Sequence, residues 1–149
     1  MTRGPRLMSG KPIPNDINRY RTNLRDELNG AALYQALAAA EGDPLRKDLF
    51  LQLAQAEGGH ARLWRDKLAA AGVQDEQFTP GFRTRLLGKL ARRFGPGFAL
   101  PGIAAAEFSD RNKYAGQPDA QAISAEERGH AARGTRHCAS CSSVASRRG

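Results

Sequence analysis

One pattern, written twice, limits what this chain can fold into: a lone glutamate followed by Glu-x-x-His. The first copy is Glu27 with Glu57 and His60, and the second is Glu107 with Glu127 and His130. Each lone glutamate is followed seven residues later by a tyrosine, Tyr34 and Tyr114. Residues three apart on a helix project to the same side, so each Glu-x-x-His offers a carboxylate and an imidazole to one ion. Four carboxylates and two imidazoles in this order are what a bundle of four helices needs to hold two metal ions. The carboxylates balance two divalent cations in charge, and the mixed oxygen and imidazole set suits iron or manganese better than thiolate-seeking metals.

The surrounding residues supply the helices. Asn15 or Asp16 is the expected cap of a first helix reaching about Ala40, with Glu27, Ala31, Tyr34, Ala38 and Glu41 down one face. That face is small and polar, which suits a lined cavity. Asp43 as cap, Pro44 at the first helical position and Gly72 beyond the last apolar residues delimit a second helix. Along it Phe50, Leu53, Ala54, Glu57, His60, Ala61, Trp64 and Leu68 form one stripe, and the short break before Pro44 favours an antiparallel pair. A third helix is expected from near Pro101 to Tyr114 or Ala115, carrying Glu107 and Asp110. The turn from Gly116 to Asp119 then opens a short fourth helix with Ile123, Glu127 and His130, weakened by Gly129 and Gly134.

Between the second and third helices lies a long connection with a short segment of its own, Phe82 to Phe94. Phe82, Leu86, Leu87, Leu90 and Phe94 fall on one side of it, and Arg83, Arg85, Lys89, Arg92 and Arg93 take the rest. No acidic residue occurs from Thr79 to Ala106. Two readings stay open: a helix that packs its apolar side on the bundle, or a basic amphipathic helix that lies on an anionic membrane surface.

With 149 residues, 40% hydrophobic and 26% charged, the chain fits one globular domain, expected over 16–134. Residues 1–15 read as a flexible lead, and 135–149 as a disordered tail rich in Ser and Arg. His137, Cys138 and Cys141 in that tail have neither the order of a haem attachment motif nor the setting of a thioredoxin-type one. The most weakly polar stretch, Phe94 to Phe108, is interrupted by Pro96 and Pro101 and falls short of the roughly 20 apolar residues of a membrane span. The start lacks the apolar run of a secretory signal, so a cytoplasmic location is expected, membrane association remaining open. A formal charge of +8 supports general attraction to polyanions, but no specific nucleic-acid partner is expected, because the aromatics are not interleaved with the arginines.

The run from Arg19 to Gly72 contains Asn23-Leu24-x-x-Glu27, Ala32-Leu33-Tyr34, Leu49-Phe50-x-x-Leu53-Ala54 and Ala56-Glu57-x-x-His60-Ala61. It resembles the rubrerythrin branch of the ferritin-like superfamily. Glu57 to Trp64, the basic stretch Leu86 to Pro96 and Glu127-x-x-His130 are similar, more narrowly, to the soluble domain of membrane-bound ferritins. The resemblance covers about residues 18 to 133. It implies an all-α fold: a ferritin-like four-helix bundle with a long crossover between helices 2 and 3 that holds the short basic amphipathic helix. It also implies a site of two iron ions, or manganese, with Glu27, Glu57, His60, Glu107, Glu127 and His130 as ligands. The sequence departs from both relatives after residue 133: one Cys-x-x-Cys pair stands where a rubredoxin module has two, and a Ser-rich stretch stands where a transporter domain would continue. Transport is therefore not expected of these residues.

Tyr34 and Tyr114 have two readings, as donors that steady ligand carboxylates and as core residues with satisfied hydroxyls. Asp110 and Glu41 are alternates to the main ligands. Two functions follow from the whole. In one, Fe(II) is oxidised by oxygen or peroxide in iron homeostasis or oxidative-stress defence. In the other, a non-catalytic module senses or captures metal for an iron or manganese membrane transporter. A homodimer and a membrane-surface or transporter contact through Phe82 to Phe94 are the partner arrangements left open.

Overall fold

In a computed structural model, the described residues are 14–74, 77–101, 103, 114, 116, 117, 120 and 123. They are helical throughout, apart from turns and connections, and include no strand. Three helices are bounded: α1 (Pro14–Ala40), α2 (Pro44–Ala70) and α3 (Phe82–Phe94). The chain turns helical again at residues 96–101, and Ile103 is helical as well.

α1 begins earlier than its expected cap. Proline suits the first helical turn because its fixed φ is already helical and its missing N–H would have no partner there. Asn15 and Asp16 therefore lie inside the helix, and Asp16 accepts from Arg19 at 3.1 Å instead of capping. α2 starts as the sequence implies: Asp43 accepts from the Arg46 N–H at 2.9 Å, with Pro44 next to it. Its 27 residues span about 40 Å. At its end Gly72, at φ 77°, takes the left-handed turn, and the Val73 N–H returns to the Leu68 carbonyl at 3.0 Å.

α1 and α2 run antiparallel. Tyr20 stacks on Trp64, Glu27 meets His60, and Gly30 meets Glu57, so partners rise along one helix as they fall along the other. The core has two parts. Tyr34, Leu37, Ala38, Phe50, Ala54, Ala91, Ala99 and Ile103 form one cluster, and Trp64, Tyr114, Ala120 and Ile123 form the other, with Tyr20, Leu24 and Leu63 against it. Glu27, Glu57 and His60 fall between these clusters along both helices. The polar group is thus set mid-rod with apolar packing on either side.

α3 packs on α1. Asn29 anchors its start, its side-chain oxygen accepting from the Gly81 N–H at 2.8 Å and the Thr84 hydroxyl at 3.1 Å. The helices approach through their smallest residues. Gly88 and Ala91 are buried, and a Cβ on Gly88 would lie 3.1 Å from the Ala36 Cβ. This settles which face of α3 meets the bundle. Leu87 joins the core margin, while Phe82, Leu86 and Phe94 point outward. The apolar side of this helix therefore packs on the bundle only in part, through Leu87, while the closest approach is made by the small residues beside it, nearer than a row of Phe and Leu would allow.

Candidate metal centre

Glu27 and His60 are buried, and one ligand atom from each of Glu27, Glu57 and His60 lies within 4.8 Å of the others. An ion with oxygen and nitrogen bonds of about 2.0 to 2.2 Å could be reached by all three through small side-chain rotations. The grouping follows from helical register. Glu57 and His60 share a side of α2 because they are three residues apart, and the antiparallel α1 brings Glu27 opposite them. Two carboxylates and an imidazole form a donor set suited to iron, manganese or zinc-like ions.

The electrostatics are unusual for a helix interior. Burial pushes the Glu27 carboxyl up, but hydrogen bonds with His60, Glu57 and Tyr114, together with the His60 charge, outweigh it and hold the group at about 2. The His60 Nδ1 lies 3.3 Å from one Glu27 oxygen, and the Tyr114 hydroxyl donates to the other. Among the described residues no lysine or arginine forms an ion pair with Glu27.

Gly30 makes room for Glu57. A Cβ at that position would stand 3.0 Å from the Glu57 carboxyl carbon and 3.1 Å from one of its oxygens. Glycine in a helix interior costs about 1 kcal/mol relative to alanine, so its presence on α1 is explained by this close approach. Gly30→Ala should raise intrinsic helix stability yet push the Glu57 carboxylate away, weakening metal binding. Metal titration beside thermal melting would check this: a variant that melts no lower but binds metal less tightly is the expected outcome.

Tyr114 is held in place by a separate polar clamp. Asn23, buried one turn before Glu27, donates to the Gln117 side-chain oxygen at 2.9 Å, and Arg19 donates to the same oxygen at 2.9 Å. The Gln117 N–H donates to the Tyr114 carbonyl at 3.0 Å. The turn carrying Tyr114 is thereby tied to the helix carrying Glu27. Trp64 lies against the ring of Tyr114 at 5.9 Å and of Tyr20 at 5.6 Å, closing the apolar end of the site.

The structure brings together Glu27, Glu57, His60 and Tyr114. Tyr34 is buried in the other core cluster, beside Leu37 and Phe50. Glu41 is at the turn between α1 and α2, where it accepts from Arg46 at 3.1 Å and from the Asp43 N–H at 2.9 Å. Its role there is to shape the turn, away from the cluster. Glu107, Asp110, Glu127 and His130 lie outside the described residues. The sequence marks Asn23 only as part of the Asn23-Leu24-x-x-Glu27 motif and assigns no role to Gly30 or Gln117; the glycine inside a helix is the available signal.

Compared with known proteins, the chain matches no family model, no curated protein and no solved structure.

Proposed function

We propose that the chain is a ferritin-like protein of the rubrerythrin branch that binds iron, with manganese as the alternative, at a dinuclear carboxylate site and oxidises Fe(II). The observation that carries the proposal is the convergence of Glu27, Glu57 and His60 in the middle of two packed helices. The second Glu-x-x-His, with Glu107, Glu127 and His130, supports a second ion by its repetition in the sequence.

The chain's own residues have distinct tasks in this reading. Glu57 and His60 hold one ion from a single helical turn. Glu27 faces them from α1, and the Tyr114 hydroxyl fixes one of its oxygens so that the carboxylate stays aimed at the centre. Trp64 and its neighbours keep water from that end. Iron is the substrate and the electron source: two Fe(II) lose one electron each, and hydrogen peroxide takes up both electrons and two protons to give two waters. With dioxygen, the same electrons and protons give hydrogen peroxide.

Stopped-flow oxidation of Fe(II) tests the reading. The protein should oxidise iron faster than buffer does, and Glu27→Ala should abolish the excess by removing the carboxylate that faces both partners. Bound metal with no excess oxidation would favour the metal-capturing module over the enzyme. Failure to bind iron or manganese would remove both.

A further inference from the structure

α3 turns a row of large apolar side chains to solvent. Phe82, Leu86, Leu90, Phe94 and Phe98 recur every four residues, so they form a slanted stripe that continues past Gly95. Phe82 is 73% exposed and Phe98 61%, Leu86 and Phe94 are also exposed, and Leu90 is half-buried. Phe94 and Phe98 lie ring to ring at 5.2 Å, and the Arg93 guanidinium sits 5.2 Å from the Phe94 ring. Exposed Arg83, Arg85, Lys89, Arg92 and Arg93 flank the row, and no acidic residue occurs from Thr79 to Ala106. The opposite face is committed to the bundle through Gly88 and Ala91.

We propose that α3 and the turn after it form a docking surface for an anionic lipid membrane. A basic helix with an outward apolar row has the two parts such binding needs: side chains that enter the acyl boundary and cations that meet the headgroups. No helix among the described residues is long and apolar enough to cross a membrane, so contact is at the surface. Charge complementarity selects this occupant. A second copy of the chain would set basic flank against basic flank, and a nucleic acid would satisfy the arginines but leave Phe82 and Leu86 without an apolar phase. The proposal does not depend on the metal reading, since α3 contributes no residue to the Glu27 cluster.

The test is flotation of the full chain with vesicles of phosphatidylcholine alone and of phosphatidylcholine with phosphatidylglycerol. Binding is expected only to the anionic vesicles. The variant Phe82→Ser with Leu86→Ser, which leaves the charge unchanged and alters only exposed positions, should reduce it at least tenfold. Phe82→Trp should show blue-shifted emission on anionic vesicles and quenching by brominated acyl chains. Absence of binding to anionic vesicles would overturn the proposal. So would undiminished binding by the double serine variant, which would show nonspecific adhesion of a cationic protein. Self-association lost in that variant, or RNA binding that depends on the same two side chains, each without lipid binding, would also overturn it.

Discussion

Replacing Trp64 with alanine is expected to cost about 3 to 5 kcal/mol, the range for removing a large aromatic from a well-packed core. Trp64 has no exposed surface and is the largest of the fully buried side chains. It also joins α2 to residues far along the chain, stacking on Tyr114 in a cluster that includes Ala120 and Ile123. Domains of ordinary stability have only about 5 to 15 kcal/mol in total, so the variant should approach its unfolding threshold at room temperature. Its urea midpoint should fall accordingly, with a melting point lower by on the order of 10 °C. Trp64→Phe should cost much less, because the Nε1 hydrogen makes no hydrogen bond among the described residues and most of the ring packing is kept. A Trp64→Ala variant as stable as the parent would mean that the second core cluster does not hold the bundle together.

The second large effect is metal-dependent stability. A ligand that binds only the folded form at about 100 times its dissociation constant adds about 2.7 kcal/mol. For a chain of this size that corresponds to a melting point higher by roughly 5 to 10 °C. Mn(II) should therefore raise the melting point of the parent by this amount, and Glu57→Ala should remove most of the rise. Trp64 supplies an independent readout: it stacks on Tyr114, whose hydroxyl donates to Glu27, so paramagnetic Mn(II) at the cluster should quench its fluorescence. Equal shifts in the parent and in Glu57→Ala would place the ion elsewhere.

Much of the architecture was legible because it depends on local chemistry. The start of α2 follows from the Asp43 side chain and the fixed φ of Pro44, and its end from the left-handed turn at Gly72. α3 lies between Gly81 and Gly95, where its bounding glycines stand in the sequence. Glu27, Glu57 and His60 could be grouped because helical spacing puts residues on faces, and a three-residue turn puts two antiparallel faces together. What escaped depends on how helices approach one another. The apolar row of α3 is visible from periodicity, but periodicity does not say which face a neighbour takes; Gly88 and Ala91 won because small residues permit the closer approach to Ala36. The bond from Tyr114 to Glu27 joins residues 87 apart in the chain; the sequence marks Tyr114 as a candidate donor to a ligand carboxylate, but the seven-residue spacing pairs it with Glu107 and does not show that it meets Glu27. Gly30 was likewise silent until Glu57 stood opposite it.

Anaerobic equilibrium dialysis with Fe(II) or Mn(II), followed by metal analysis, tests the dinuclear site most directly. The parent should retain about two ions per chain, as a site of four carboxylates and two imidazoles implies. Glu57→Ala and Glu127→Ala should each lower that content while remaining folded by circular dichroism. A folded parent that retains no metal, or metal content unchanged in both variants, would contradict the assignment.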